Sequence, residues 1–306
     1  MSAPRLSILV ISYNTREMTL ACLRSVLDQT RAEFELIVVD NASADGSAQA
    51  LEAEFGADPR VRLMPETINH GFARANNLAA AHARGGMLLL LNPDTVVLDG
   101  AVDRLLAFAE ARPDARIWGG RTLYGDGRLN PTSCWRRMTL WSLFCRTAGL
   151  TGVFRRSELF NPEAYGAWDR GREREVDIVT GCFLMIPRAL WEELGGFDET
   201  FVMYGEEADL CLRAREKGAR PRITPEATIV HHGGASETVR GDKVVRILRA
   251  KATLIRRHFA PGRREAGLML LKLWPLTRRW AGSGDAWPEV WRRRAEWAGG
   301  WPEAAE

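Results

Sequence analysis

A chain of 306 residues, 46% apolar and 26% charged, carries enough apolar side chain for a sizeable core and argues against a globally disordered polymer. The net charge is only +3, yet residues 240–306 hold 15 Lys and Arg against 7 Asp and Glu, a local +8 that leaves the rest at −5. Five cysteines, odd in number and with no C-x-x-C spacing, argue against a disulfide framework or a zinc module and fit reduced thiols in a cytosolic protein.

The N-terminus, M-S-A-P-R, runs at once into an apolar stretch, so no secretory signal is expected. Residues 6–11 are continuously apolar, as in a buried parallel strand. Residues 16–28 show helical spacing through Met18, Cys22, Leu23, Val26 and Leu27. A second strand, 36–39, ends in the turn-rich Asp40-Asn41-Ala42-Ser43-Ala44-Asp45-Gly46, which opens a helix to about Phe55. A third strand is expected over 61–64, a helix over 73–83, and a fourth strand over 87–91, stopped by Asn92-Pro93-Asp94. Asp99 is expected to cap a helix to about Arg112, with a fifth strand at 116–119. This alternation predicts a mostly parallel, doubly wound sheet, in which ligands bind beyond the carboxyl ends of the strands. Tyr13, Asn14, Asp40, Asn92 and Asp94 fall there.

After residue 120 the rhythm changes. Gly125-Asp126-Gly127 signals a hairpin, 131–175 reads as irregular, and 176–186 as a buried strand followed by a short helix over 187–194. A helix over 206–217 ends at Gly218, and a strand over 227–230 leads into His231-His232-Gly233-Gly234. From residue 242 the pattern is helical, with breaks expected at Pro261-Gly262 and Pro275.

Several of these positions carry chemistry. Asp94 ends a rigid strand where a hard divalent cation could share ligands with a phosphate, although a turn or cap would use the same residue. Asp40 could receive a nucleobase or simply start an Asx-turn. The stretch 69–77, N-H-G-F-A-R-A-N-N, opens a helix with Gly71, Arg74 and Asn77, a suitable phosphate cradle or an ordinary capped entry. Glu207 shares a helical face with Met203, Leu210 and Ala214, so it points toward the protein body, where burial suits a general base; Glu206 is the rival. Asp209 and Arg213 are spaced as a structural ion pair. His231 closes its strand as a metal ligand or a structural histidine. No G-x-G-x-x-G, Walker loop or G-x-S-x-G elbow is present, which disfavours the dehydrogenase, NTPase and serine-hydrolase classes.

Eight stretches in order carry a resemblance. They are S-I-L-V-I-S-Y-N (7–14), V-V-D-N-A-S-A-D-G (38–46), N-H-G-F-A-R-A-N-N (69–77), L-N-P-D-T (91–95), G-C-F-L-M-I (181–186), G-G-F-D (195–198), Y-G-E-E-A-D-L-C-L-R (204–213) and H-H-G-G-A-S (231–236). Together the chain resembles family 2 glycosyltransferases of the GT-A fold, in their rhamnosyltransferase-like branch. The resemblance implies an α/β fold: a mostly parallel nucleotide-binding sheet flanked by helices, with a helical C-terminal extension. It divides the chain into a catalytic domain at 1–238, with a nucleotide-sugar half at 1–120 and an acceptor half at 121–238, and the extension at 239–306. It implies that Asp40 and Asn41, with Ser12, Tyr13 and Asn14, line the nucleotide pocket, that Gly71, Arg74, Asn77 and Asn92 serve the donor, and that Asp94 and His231 hold Mg²⁺ or Mn²⁺. Asn92 stands where the family's D-x-D-type motif has its first acid. Glu207 or Glu206 would be the base, and Asp177, Gly181 and Cys182 lie on the acceptor side. The implied activity is inverting transfer from a dTDP- or UDP-linked sugar to a glycan or polyprenyl-linked acceptor. A nucleotide-sugar-forming nucleotidyltransferase should show a Gly-rich basic loop after the first strand, where this chain has Ile11-Ser12-Tyr13-Asn14-Thr15-Arg16. A non-catalytic sugar-binding relative would have no need of Asp94, Glu207 and His231.

The basic tail contains six of the eleven tryptophans. Val244, Leu248, Ala252, Ile255 and Phe259 form one helical stripe with Arg and Lys around it. Such a segment suits a membrane surface at the inner face of the cell membrane, or an appendage packed on the catalytic domain. No nucleic-acid recognition motif accompanies it, and no apolar run reaches the ~20 residues of a membrane span.

Overall fold

The structure, a computed structural model, describes residues 4–233, 240–280 and 286–302; Gly234, Ala235 and Ser236 of the H-H-G-G-A-S stretch lie outside the described residues. The first elements follow the expected alternation: β1 (Leu6–Ser12), α1 (Arg16–Gln29), β2 (Phe34–Asp40), α2 (Ser47–Phe55), β3 (Val61–Pro65), α3 (Gly71–Ala81) and β4 (Met87–Leu91). Then come β5 (Thr95–Val97), α4 (Ala101–Ala111), β6 (Trp118–Leu123), β7 (Leu129–Asn130), β8 (Cys134–Trp135), α5 (Leu140–Thr147) and α6 (Leu150–Val153). The second half continues with β9 (Arg174–Glu175), β10 (Ile178–Val179), β11 (Phe183–Pro187), α7 (Arg188–Leu194), α8 (Glu206–Glu216) and β12 (Arg222–His231). The tail forms α9 (Arg240–His258), α10 (Pro261–Trp280), α11 (Ala286–Arg292) and α12 (Arg294–Trp297).

The main sheet runs β3-β2-β1-β4-β11-β6-β12-β5. Strands β1 to β4 are mutually parallel and β12 is parallel to β6, whereas β11 and β5 are antiparallel to their neighbours. Both sheet faces are covered, which is why β1 and β2 are buried at every position. Ile8 and Val10 point to a core shared with Leu23 of α1, Leu51 of α2 and Leu105 of α4. Leu9 and Ile11 point to the opposite core, with Ala79 of α3, Leu190 of α7 and Leu210 of α8. Each such fully buried aliphatic side chain contributes ~1.5–3 kcal/mol of transfer free energy.

The structure corrects several expectations. Residues 176–186 are not one strand: a turn at Thr180 separates β10, which pairs with β8 in a small second sheet, from β11 in the main sheet. Residues 131–175 include α5, started by a capping box between Thr139 and Ser142, a serine version of the usual acidic pattern. The helix after Asp99 is capped by Gly100 with no side-chain bond, and Asp99 adopts φ 45° instead. Pro275 does not break the tail: it lies inside α10, buried against its neighbours. Proline removes one helical hydrogen bond, but next to it the Thr147 hydroxyl lies 3.0 Å from the Leu270 carbonyl, and the Thr277 hydroxyl reaches the Trp274 carbonyl at 2.9 Å. Strand β12 begins five residues earlier than expected and carries an irregularity between Thr224 and Thr228. There the Ala227 carbonyl comes so close to Gly120 that any side chain would collide.

The tail is packed onto the body. Leu248, Ala252 and Ile255 of the predicted stripe are fully buried with Leu143 of α5, Leu271 of α10, Val290 of α11 and Trp297 of α12. Beneath them the Lys251 ammonium bonds the buried Glu163 carboxylate at 2.9 Å, and Arg146 adds a second contact at 3.1 Å. Among the described residues no helix is long and apolar enough to cross a membrane.

Candidate active site

The carboxyl ends of β1, β2 and β4 converge as the sheet order requires. Ser12 pairs in register with Asp40, and the Asn41 amide donates to the Ser12 carbonyl at 2.8 Å. Asp40 is 5% exposed; its Oδ2 receives the Ser43 amide at 3.2 Å, while Oδ1 is buried without a partner among the described residues. A desolvated carboxylate oxygen with a free lone pair is costly unless something arrives to bond it. Asn14, at φ 53°, accepts the Ala44 amide and its own amide donates to Ser43, so it clips the β1 and β2 loops together. Tyr13 beside it is 40% exposed. Asn41 is buried and ties Asn69, His70 and Gly71 to the same edge. Gly71 holds φ +75°, and a Cβ there would stand 2.9 Å from the Val202 carbonyl.

The second group arises from a contact that the sequence pattern did not show. Strand β5, three residues long, pairs with the end of β12 so that Thr95 opposes His231. That pairing sets the His231 Nε2 3.4 Å from the Asp94 Oδ1. Asp94 Oδ2 accepts the Gly233 amide at 3.0 Å, and the Asp94 carbonyl accepts the His232 amide at 3.0 Å. Burial alone would raise the Asp94 carboxyl, but the His231 contact, with the backbone amides of Asp94 itself and of Gly233, holds it below its ordinary range. Burial likewise opposes the His231 imidazolium; the Cys182 sulfur and Asp94 outweigh it and push the imidazole up to about 11. The His231 Nδ1 is buried with no partner among the described residues.

Glu207 reaches this region from the other side. It lies in the first turn of α8, and its Cβ would be 3.8 Å from a Cβ on Gly181, in the turn that continues into Cys182, whose sulfur meets the His231 ring. Burial raises the Glu207 carboxyl, and its Oε2 has no partner among the described residues. Glu206 is more deeply buried; burial and then the Glu207 charge raise it well above the ordinary range. The helix carrying both is clamped through Asp209, which meets Arg213 at 2.6 Å and His258 of α9 at 2.9 Å. The Asp209–Arg213 pair follows from its spacing, whereas the reach of His258 from the tail had no local signal.

The remaining candidates take other places. Asn77 spends its amide on bracing: Oδ1 accepts the Phe197 amide, and Nδ2 donates to the Phe197 carbonyl and to Glu199. Arg74 is half-exposed, 3.9 Å from Glu199. Asp177 has both oxygens taken, by the Arg137 amide at 3.0 Å and by Arg215 at 3.3 Å, which ties β10 to α8. Asn92 donates its backbone amide to the Cys182 carbonyl at 3.2 Å, joining the two strand ends.

Among the described residues no group of three or more His, Cys, Asp or Glu gathers around one point. Asp94 and His231 therefore offer a sparse pair, one hard oxygen and one imidazole. That pair suits a divalent ion which completes its shell with phosphate oxygens and water rather than a protein cage.

The model of Glycosyl transferase family 2 matches residues 7–194. The Myxococcus xanthus O-antigen biosynthesis protein RfbC is 31% identical over 244 residues, 76% of this chain and 18% of RfbC. The N-acetylglucosaminyl-diphospho-decaprenol L-rhamnosyltransferase of Mycobacterium tuberculosis is 27% identical over 249 residues, 74% of this chain and 76% of that protein. This chain thus spans a quarter or less of the length of two of the curated relatives it matches. The mannosyltransferase PcManGT of Pyrobaculum calidifontis, solved with GDP-Man and Mn²⁺, superposes with a TM-score of 0.58 over 96% of this chain and 80% of that one, at 20% identity. At that identity the likeness is one of fold.

Proposed function

The chain belongs to glycosyl transferase family 2, and from that membership we propose that it transfers a sugar from a nucleoside diphosphate sugar to an acceptor hydroxyl, inverting the anomeric carbon. The observation that supports this reading is the β5–β12 pairing, which joins Asp94 to His231, together with the approach of Glu207 to Gly181 beside Cys182.

The chain's own groups divide the work. Asp40 offers its free oxygen to a nucleobase donor group, between Tyr13 and the Asn14–Ala44 clip. At the entry of α3 the His70, Gly71 and Phe72 amides are already bonded to Asn41, Asn69 and Val202, so Arg74 is the group there that would meet a donor phosphate. Asp94 and His231 would hold Mg²⁺ or Mn²⁺ once the His231 imidazolium gives up its proton, and the ion would neutralise charge on a departing diphosphate. Glu207, kept basic by burial, takes the proton of the acceptor hydroxyl. The acceptor oxygen then bonds to the anomeric carbon from the face opposite the leaving diphosphate, and this single displacement inverts the configuration.

RfbC and the mycobacterial relative, by their names, concern O-antigen and a decaprenol-linked acceptor. They support a cell-surface polysaccharide role, a polyprenyl-linked acceptor at the inner face of the membrane, and a deoxysugar such as rhamnose carried on dTDP or UDP. The decisive experiment is Glu207→Gln. Transfer should fall at least ~10²-fold, the usual contribution of a general base, while calorimetry shows donor binding unchanged. Transfer at the native rate in that variant removes Glu207 from the mechanism.

A further inference from the structure

The tail's tryptophans divide sharply in exposure. Trp297 is fully buried, and Trp274 and Trp287 pack against each other at 5.7 Å beside the tail core. Trp280 is 75% exposed. It shares a face of α10 with Met269 and Leu273, 56% and 38% exposed.

That face borders a seam between α10 and α5. The Thr277 hydroxyl donates to the Thr147 carbonyl at 2.8 Å along it. On the inner side of the seam Leu143, Leu268 and Leu271 are buried. On the outer side stands Phe144 of α5, 45% exposed and stacked on Trp141 at 5.6 Å. Phe154, also 45% exposed, extends the surface through Phe160. Exposed aromatic and aliphatic side chains thus gather on α10 and on the α5 segment packed against it, two segments distant in sequence. An ordinary monomer surface leaves apolar residues singly, not gathered in this way.

Its borders are basic. Lys272 and Arg279 flank the α10 strip, and Arg155 and Arg156 follow Phe154; all four are exposed. Glu265 is the single acid on α10, against Arg263, Arg264, Lys272, Arg278 and Arg279. Lys272 also lines a cleft of about 430 Å³ with Arg292, Arg294 and Trp291. A second copy of this chain, docked about a two-fold axis, would press these like charges together. An anionic bilayer meets both features at once: acyl chains receive the apolar strip, and head-group phosphates receive the basic border.

We propose that the outer face of the α5–α10 seam is a membrane-docking surface that seats the protein on anionic lipid, with the cleft at Lys272, Arg292 and Arg294 receiving head-group phosphates. The proposal stands apart from the transfer chemistry, because vesicle binding is read with neither donor nor acceptor present.

The test is flotation of the full chain with phosphatidylglycerol–phosphatidylcholine vesicles and with pure phosphatidylcholine vesicles. The wild type should float with the anionic vesicles and much less with the neutral ones, and added salt should weaken but not abolish binding. The exposed triple variant Phe154→Ser/Leu273→Ser/Trp280→Ser should lose binding at least ~10-fold at an unchanged melting temperature. The double variant Lys272→Glu/Arg279→Glu, which leaves the apolar strip intact, should lose the preference for anionic vesicles. The proposal is overturned if the wild type stays unbound, or if both variants float like it. It is also overturned if lipid-free ultracentrifugation reveals a dimer that the triple variant dissolves, since the face then joins two copies.

Discussion

At the scale of single residues, two adjacent glutamates share one environment at different depths. Glu207 borders the Gly181 turn, whereas Glu206 is more deeply buried; each leaves its Oε2 without a partner among the described residues. Burial raises both carboxyls. If Glu207 is the base, it works only when ionised, so kcat/KM should climb with pH through a limb above the ~4.3 of an ordinary glutamate. Initial rates across pH 4–9 check this, and a limb at the ordinary value counts against Glu207. Glu206 affects stability. Its folded-state pKa is raised, so its contribution is fully present below the unfolded value and is lost as pH rises through the folded one. Glu206→Gln should therefore raise the melting temperature more at pH 8 than at pH 5 while leaving transfer largely intact. The sequence made the face of Glu207 legible through its helical spacing with Leu210 and Ala214. It did not separate Glu207 from Glu206 as candidate bases; what favours Glu207 is its approach to Gly181, twenty-six residues earlier in another turn. The assignment of Asn77 shows the converse: an amide beside a glycine-led helix start reads as a ligand contact, yet its partners come from the Phe197 loop, 120 residues on.

At the scale of elements, the parallel half of the sheet was readable because each strand is a continuous apolar run with a turn signal at its end. The element that matters most to the site was not. β5 is three residues, Thr95–Val97, too short to show a period, and its identity as a strand depends on β12 lying beside it. The residue pattern therefore supplied Asp94 and His231 as separate candidates, the family resemblance alone joined them, and the sheet brings them side by side. Metal removal probes that meeting. Chelation should abolish transfer and Mn²⁺ restore it, and Asp94→Asn should weaken Mn²⁺-dependent donor binding more than metal-free donor binding. Titration calorimetry in both conditions reads the difference, and equal losses would take Asp94 out of the metal's reach. Asn77→Ala tests the bracing of α3 against the Phe197 loop. Losing those three bonds should cost about 2 kcal/mol in denaturant melts, with donor affinity unchanged; a large loss of donor affinity would put Asn77 back at the ligand.

At the scale of the whole molecule, the tail is continuous with the body. The buried trio Glu163, Arg146 and Lys251 fastens α9 to the segment around α5. Burial works against the Glu163 carboxylate, yet the two cations hold it down at about 2. A lowered carboxyl pKa contributes stability above its unfolded value and loses it as pH falls toward the folded one, so this fastening should weaken between pH 4.5 and 2. Lys251→Met should cost about 3 kcal/mol, the low end for breaking a buried pair, because Arg146 remains. Urea melts at pH 7 read the loss, and a neutral substitution would mean that the contact is incidental. The stripe through Leu248 and Ile255 was visible in the sequence; what it covers was not, because a buried stripe and a lipid-facing one have the same period. All five cysteines are buried thiols, and Cys22 and Cys211 are pushed up to about 12 by burial. The folded chain therefore presents no accessible native thiol to a maleimide dye. One cysteine installed at Val153, 75% exposed, would become the sole labelling point without deleting any native sulfur, and slow dye uptake by the unaltered chain would clock how often its interior opens.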